Sequence, residues 1–257
     1  MALASMSEIF ERMARNGQEF WEVVLADDMD ERQVSREASM AKMLTTWQAM
    51  QDAADSYTGR KRSVSGLVGG DGMKMRQYTF RGCAMTGGYV SEVIAEALSM
   101  AESNACMRRI VAAPTAGACG VLPAVLLPLC KYEELTQHQL LEALYVAAGI
   151  GSIIAYKASI AGASGGCQAE IGTASAMAAG ALVALRGGEG EQIGHAVAMA
   201  LKNLMGLVCD PVAGLVEVPC VKRNVIGAVN AVSAADMALA GIESRIPVDE
   251  VIDAMGE

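Results

Sequence analysis

Aromatic residues and positive charge are both scarce in this 257-residue chain. Aromatics make up 4% of the residues, and charged residues 19% against about a quarter in an average soluble domain. Apolar residues still reach 53%, so most are small and aliphatic, and this share excludes an intrinsically disordered chain. The net charge of −9 argues against a general nucleic-acid binder, because phosphate neutralisation needs surplus Lys and Arg. We predict no nucleic-acid partner.

A signal peptide and an unbroken apolar run are also missing. The first ten residues include the acidic Glu8 and no apolar core, which predicts a cytoplasmic protein. The mean hydropathy of +0.30 raises the question of a membrane span. The longest uncharged stretch, residues 110–130, is interrupted by Pro114, Pro123 and Pro128. We therefore predict no membrane span.

Apolar residues recur at helical spacing, and the alternation typical of strands is scarce. We predict an all-α fold, a single compact helical domain over residues 1–257 whose glycine-rich loops converge on one site. Residues 1–60 would form peripheral helices, residues 56–88 a long loop, and residues 108–257 the core that carries the site. The predicted helices beyond residue 88 cover 89–107, 119–131, 136–157, 172–187, 191–207, 223–241 and 247–256, with breaks at 114–117, 162–166, 187–190 and 210–219.

Seven cysteines, an odd number in a chain of this length, do not indicate a disulfide framework. Three of them, Cys167, Cys209 and Cys220, lie where Gly or Pro interrupts a helical pattern, which leaves their thiols free to converge on a shared metal. Their spacing is unlike the short C-x₂-C runs of ferredoxins or zinc sites. Spacing alone therefore leaves open both a metal site and buried apolar cysteines. The other four cysteines have sequence contexts that are typical of buried apolar cysteines: Cys83, Cys106, Cys119 and Cys130.

Three long strings carry a resemblance to a known family. They are APTAG at residues 113–117, ASIAGASGGCQAE at 158–170 and LVCDPVAGLVEVPC at 207–220. The chain resembles the iron–sulfur-dependent L-serine dehydratases (L-serine ammonia-lyases), specifically their alpha chain. The match is densest from residue 111 onward and thinner before it. Two departures are Lys157, where family members more often carry Asn, and an end at Glu257, where family alpha chains usually continue.

The resemblance implies a specific chemistry. Cys167, Cys209 and Cys220 would hold a [4Fe–4S] cluster with one iron free of protein thiolate, and L-serine would be converted to pyruvate and ammonia without pyridoxal phosphate. An open iron can act as a Lewis acid on the serine hydroxyl, since hydroxide is a poor leaving group. The family also has a Ser-Ser-His-Thr type motif on its other part, and this chain lacks that motif. We therefore expect a separate beta subunit.

Other candidate residues are less specific. His195 opens a helix that leads to Cys209 and is a candidate catalytic base, although a core histidine would fit equally well. Candidate substrate-binding residues lie in the glycine turns and beyond Cys220: Thr115, Ser164, Lys222, Arg223 and Asn224. The glycine run at 69–72 lacks the lysine of a phosphate-binding loop, so we reject nucleotide binding there. Two alternatives stay open: a pyridoxal-phosphate lyase using Lys157 or another lysine, and a non-catalytic helical subunit.

Overall fold

The chain folds into helices connected by short turns and three longer loops. The computed structural model describes residues 3–257, and no β-strand occurs in that range. This confirms the all-α prediction. The eleven α-helices of the described residues are α1 (Met6–Asn16), α2 (Phe20–Arg32), α3 (Arg36–Asp55), α4 (Asp71–Phe80), α5 (Gly87–Ala105), α6 (Val121–Tyr132), α7 (Gln137–Lys157), α8 (Gly162–Leu185), α9 (Gly190–Leu204), α10 (Cys220–Leu239) and α11 (Val248–Gly256).

Polar side chains fix the points at which two of the core helices begin. The hydroxyl of Thr136 accepts the backbone N–H of Gln139, and the Gln139 side chain accepts the N–H of Thr136. This reciprocal pair satisfies two N–H groups that have no partner inside the first turn of α7. Glu189 and Gln192 form the same arrangement at the start of α9. The predicted break at 187–190 is therefore confirmed.

Helix α8 forms the centre of the molecule. Nearly all of its side chains between Cys167 and Val183 are buried, and α7, α9 and α10 pack around it. The facing surfaces are lined with Ala and Gly, and a Cβ at Gly180 would overlap the Ile150 side chain of α7. Small residues let these helix axes approach closely at interior packing density. This packing explains why the sequence is rich in small aliphatics and poor in aromatics.

The N-terminal helices pack against α7 and α9, contribute buried side chains such as Phe20 and Trp47 to the same core, and are joined to α11. The carboxylate of Asp249 accepts the backbone N–H groups of Met6 and Ser7, at 3.0 and 2.9 Å, at the start of α1. Burial by itself would raise the pKa of Asp249, but the hydrogen bonds from Ser7 and Met6 and the nearby charge of Lys157 outweigh it and leave that pKa lowered. An ionised carboxylate at a helix N-terminus also interacts favourably with the helix dipole.

Two parts of the predicted helix pattern are wrong. Residues 56–88 are not one long loop, because α4 occupies Asp71–Phe80. Only Gly72 of α4 is buried, so this helix has no apolar face that a periodicity search could detect. The second error concerns α8, which begins at Gly162 rather than at residue 172 and has a kink at Gly166 inside it. The predicted break at 162–166 is therefore a bend within a helix.

Among the described residues, α7 is the helix that is long and apolar enough to cross a membrane by length and composition. In this structure, 67% of its most apolar window is buried inside the protein. It packs against α2, α3 and α8. Its apolar surface is therefore mostly covered by the rest of the chain.

Candidate active site

The three cysteines singled out by the sequence lie at the ends of three core elements. Cys167 follows the kink in α8 and is buried, Cys209 lies in the loop after α9 and is exposed, and Cys220 is the first residue of α10 and is half-buried. Gln168 of α8 is hydrogen-bonded to Leu207, and Arg223 of α10 contacts Cys167 and Val208, so the three segments that carry these cysteines lie beside one another. All three thiols are free of disulfides.

The kink at Gly166 brings the Cys167 and Cys209 segments together. Gly166 has φ 76° and ψ 178°, a conformation that is essentially restricted to glycine. A Cβ at this position would lie 2.9 Å from the carbonyl oxygen of Leu207. The backbone N–H of Gln168 donates to that same carbonyl at 2.9 Å. The loop before Cys209 is thus hydrogen-bonded to the first turn after the kink.

Arg223 connects the same two segments through its side chain. Its Nη1 lies 3.0 Å from the Sγ of Cys167, 3.0 Å from the carbonyl oxygen of Val208 and 2.5 Å from a carboxylate oxygen of Asp210. The Arg223 side chain is only 11% exposed. A guanidinium held this way places positive charge beside the sulfur of Cys167. The sequence predicts Arg223 as a substrate-binding residue, and in this structure its guanidinium contacts the thiol of Cys167 and the carboxylate of Asp210.

Burial controls the protonation of two of the thiols. Burial raises the pKa of Cys167, and the hydrogen bond from Arg223 opposes this effect. Burial also raises the pKa of Cys220, with a further contribution from the nearby Cys167. Both thiols are therefore protonated at neutral pH in the metal-free protein, and metal binding there would release protons.

The donor set fits an iron–sulfur cluster better than a single metal ion. Within residues 3–257, no three His, Cys, Asp or Glu side chains stand close enough together to ligate one ion. In a cluster each thiolate binds a different iron, so the ligands lie farther apart than around one ion, and they approach from several directions. Three thiols on three separate element ends satisfy that requirement. Cys167, Cys209 and Cys220 are accordingly the residues that would hold the group.

A loop that contains Thr115 lies against this site. The hydroxyl of Thr115 donates to a carboxylate oxygen of Glu170, which stands one turn after Cys167 on α8. Asn224 holds the same loop to α10: its side-chain N–H₂ donates to the carbonyl of Gly117 at 2.8 Å, and its oxygen accepts the N–H of Gly120 at 2.9 Å. Asn224 is fully buried, so its role in this structure is to position the loop.

The other three candidate residues make no contact with the cysteines. Ser164 is exposed and shares a 2.6 Å hydrogen bond with Ser159. Lys222 points to Asp71, with 3.4 Å between their charged atoms. His195 lies in the first half of α9, about 13 Å along the helix axis from its last residue, Leu204, at 1.5 Å per residue. The part played by His195 stays a prediction.

The glycine run and Lys157 have structural partners of their own. The buried carboxylate of Glu102 accepts the backbone N–H groups of Gly70 and Asp71, at 3.0 and 2.7 Å, at the start of α4. An internal anion thus fills the place where a phosphate would bind, in agreement with the rejection of nucleotide binding. Lys157 forms ion pairs with Asp249 and Asp253 of α11, at 3.5 and 3.0 Å. The lysine that stands where family members more often carry Asn therefore connects the end of α7 to α11.

Sequence reasoning did not single out Glu170, although it stands within the quoted string at 158–170. Its contact with Thr115 spans 55 residues of sequence, and no short-range pattern indicates such a contact. Glu217 is another buried carboxylate near the site, and it accepts hydrogen bonds from Ser63, at 2.9 Å, and from Ser65. It joins the loop before α4 to the loop before Cys220. A cleft of about 480 Å³ elsewhere, between α4, α5 and α6, includes no cysteine in its lining.

The fold is all-helical, and the segments that carry Cys167, Cys209 and Cys220 lie beside one another. Comparison with known proteins then identifies the family. The family model described as "Serine dehydratase alpha chain" matches residues 15–257, and the chain belongs to this family.

Individual relatives agree with the family match. The chain is 47% identical over 234 residues to the "Probable L-serine dehydratase, alpha chain" of Bacillus subtilis (strain 168), covering 91% of this chain and 78% of the relative. It is 38% identical over 256 residues to the "L-serine dehydratase, alpha chain" of Peptoniphilus asaccharolyticus, covering 99% and 88%. It is 48% identical over 163 residues to "L-serine dehydratase 2" of Escherichia coli (strain K12), covering 63% of this chain and 36% of that longer protein.

Proposed function

We propose that this chain is the alpha subunit of a cytoplasmic L-serine dehydratase that converts L-serine to pyruvate and ammonia. Its cofactor would be a [4Fe–4S] cluster held by Cys167, Cys209 and Cys220. The observation that carries the proposal is the adjacency of the three segments that carry these free thiols, with Arg223 donating to the sulfur of Cys167. The family match supports the reaction class.

The cofactor would supply a Lewis acid at an iron without a thiolate ligand, which stabilises the negative charge of the departing hydroxyl group of serine. The protein has to hold three thiolates in a partly buried place, and the positive charge of Arg223 offsets part of their negative charge. Removal of the Cα proton and loss of water give an enamine, which becomes an imine and is hydrolysed to pyruvate and ammonia. The last two steps need little from the protein.

The substrate contacts and the base are the less defined part of the proposal. Thr115, Ser164, Lys222, Arg223 and Asn224 are the substrate-binding candidates from the sequence. Of these, Thr115 and Arg223 have side chains beside the thiol site. Thr115 already donates to Glu170. Arg223 already contacts Cys167 and Asp210. His195 remains the candidate base within this chain, and the alternative is a base supplied by a second chain.

A second chain is part of the proposal because the surface beside the thiols is unusually apolar. Exposed apolar side chains lie on the two loops that Glu217 joins, and they are Val64, Leu67, Val208, Val212, Leu215 and Val216. Grouped apolar side chains on a surface are typical of protein contact sites. The relatives carry the name "alpha chain", and the match spans only about a third of the longer E. coli protein. We propose that a beta subunit covers these loops.

Anaerobic reconstitution tests the proposal. The chain would be loaded with iron and sulfide under reducing conditions, with and without a beta chain, and pyruvate formation from L-serine would be measured. We expect four irons and four sulfides per chain, and pyruvate from the complex. An intact cluster and a bound partner without pyruvate would defeat the reaction.

Matched cysteine variants separate the remaining alternatives. Cys167→Ser, Cys209→Ser and Cys220→Ser should each lower the iron content, whereas Cys83→Ser, at an exposed position outside the site, should not. Unchanged iron in all four would favour a non-catalytic subunit with ordinary cysteines. A lysine adduct trapped by borohydride in an active, iron-free protein would favour the pyridoxal-phosphate alternative.

A further inference from the structure

Glu170 has a carboxylate oxygen that no hydrogen-bond donor of the described residues contacts. Its other oxygen accepts the hydroxyl of Thr115, and the free oxygen is not a buried atom. No Lys, Arg or His of those residues lies within ion-pair distance of it. The side chain is half-buried. A free carboxylate oxygen that water can reach can also bind a positively charged group of a ligand.

The position of Glu170 points to the thiol site. It stands three residues after Cys167 on α8, so the two side chains share one face of the helix. Its partner Thr115 lies in the loop that Asn224 holds to α10, and Asn224 also donates to the carbonyl oxygen of Cys220. Arg223 is the cation of this site and is occupied by Cys167 and Asp210.

Two glycines shape the space around the carboxylate. A Cβ at Gly117 would lie 2.6 Å from one carboxylate oxygen of Glu170, and a Cβ at Gly162 would lie 2.9 Å from the other. Backbone of the Gly117 loop and of the first residue of α8 therefore approaches the carboxylate closely.

We infer that the carboxylate of Glu170 binds the ammonium group of the amino-acid substrate, with Thr115 positioning the carboxylate through its hydroxyl hydrogen bond. This inference rests on the proposed function, because it gives a binding partner to the ammonium group of L-serine. The proposed cluster chemistry at the serine hydroxyl leaves that group without one. An ammonium group offers three N–H donors and a positive charge, and it fits the unpaired oxygen of a carboxylate. The site would then select α-amino acids over hydroxy acids of the same size.

The test compares ligands that differ in the ammonium group. The complex of the cluster-loaded chain with its beta subunit would be titrated by anaerobic calorimetry with L-alanine, which keeps the ammonium, and with 3-hydroxypropanoate, which lacks it. Glu170→Gln should weaken L-alanine binding about tenfold, the factor expected from loss of one hydrogen bond to a charged group, and should leave 3-hydroxypropanoate binding unchanged. In turnover, KM for L-serine should rise by a similar factor with kcat nearly unchanged.

Control variants keep the inference falsifiable. Glu243→Gln makes the same chemical change at an exposed position and should bind both ligands as the unmodified protein does. Glu170→Asp, which retains the charge, should keep the preference for L-alanine over 3-hydroxypropanoate. Equal weakening of both ligands in Glu170→Gln would show a merely structural role, and a loss of kcat at constant KM would show a role in proton transfer. Either result overturns the inference, whereas an unmodified complex that makes no pyruvate defeats the proposed function instead.

Discussion

The free energy of unfolding should depend strongly on Asn224. Its side chain is fully buried and makes hydrogen bonds to the backbone of Gly117, Gly120 and Cys220. Asn224→Ala leaves the buried N–H of Gly120 without a partner and removes the donor to the less deeply buried carbonyl of Gly117. Each such group costs about 1–3 kcal/mol, so we expect a loss of about 3 kcal/mol.

Urea denaturation of the metal-free, reduced chain would measure this loss, because bound cofactor would add its own stabilisation. Asn203→Ala is the matched control, since Asn203 is exposed and bonds only the side chain of Asn230. It should change the free energy of unfolding by less than about 0.5 kcal/mol. A loss below about 1 kcal/mol for Asn224→Ala would refute the reasoning that this side chain holds the loop to α10.

Asn224→Asp adds a pH signature to the same prediction. One carboxylate oxygen could still accept from Gly120, but the other would face the carbonyl of Gly117 at about the 2.8 Å separation of the present hydrogen bond. The folded protein would favour the protonated acid, so the pKa of Asp at this position would lie above its unfolded value. The contribution of this side chain to stability would be fully present below its pKa in the unfolded chain and lost as pH rises through its pKa in the folded protein. Equal stability relative to the unmodified chain at acid and neutral pH would contradict this account.

Three further predictions concern the anchors of α1, α8 and α4. Asp249→Asn should lower the free energy of unfolding at neutral pH by about 1–2 kcal/mol, and the difference should vanish as pH falls through the lowered pKa of Asp249. Gly166→Ala should cost about 1–3 kcal/mol of stability and lower the iron bound after anaerobic reconstitution, because of its φ of 76° and its contact with Leu207. Glu102→Gln should cost about 2–3 kcal/mol in urea denaturation, because two backbone N–H groups lose a charged acceptor.

Each of these has its own control. Gly187→Ala places a side chain at a positive φ with open space around it and should leave iron binding intact. Full iron content in Gly166→Ala would contradict the claim that the kink positions Cys167 relative to Cys209. For Asp249→Asn, a stability difference that persists at acid pH would exclude an electrostatic origin. For Glu102→Gln, an unchanged unfolding midpoint would mean that the glycine run does not depend on the carboxylate.

The core helices could be predicted from the sequence because each buries an apolar face and is bounded by strong signals. The Thr136–Gln139 capping pair and the glycines at 187–190 are local, so a single sequence displays them. Helix α4 was missed for the opposite reason. Its side chains are exposed or only partly buried, and its start depends on Glu102, a residue of α5 about 30 positions later. No local pattern encodes that contact.

The site was predicted only as far as residue types and long motifs allow. The resemblance named Cys167, Cys209 and Cys220, while their spacing in the sequence left other interpretations open. Glu170 and the loop-holding contacts of Asn224 depend on pairs separated by 55 and 107 residues, which the helix packing brings together. Charge balance in the folded site, rather than any motif, is what singles out Glu170.

The contact between Asn224 and Gly117 also limits how early this part of the chain can fold during its synthesis. The Gly117 loop emerges from the ribosome 107 residues before the asparagine that holds it in place. Since translation proceeds at about 5–20 residues per second, about 5–20 seconds pass between synthesis of the loop and synthesis of that asparagine. During this interval the Cys167 segment is synthesised without its final neighbours, so the contacts among the three cysteine segments can form only after α10 has been made. Under the proposed function, loading of the cofactor would therefore follow synthesis of α10.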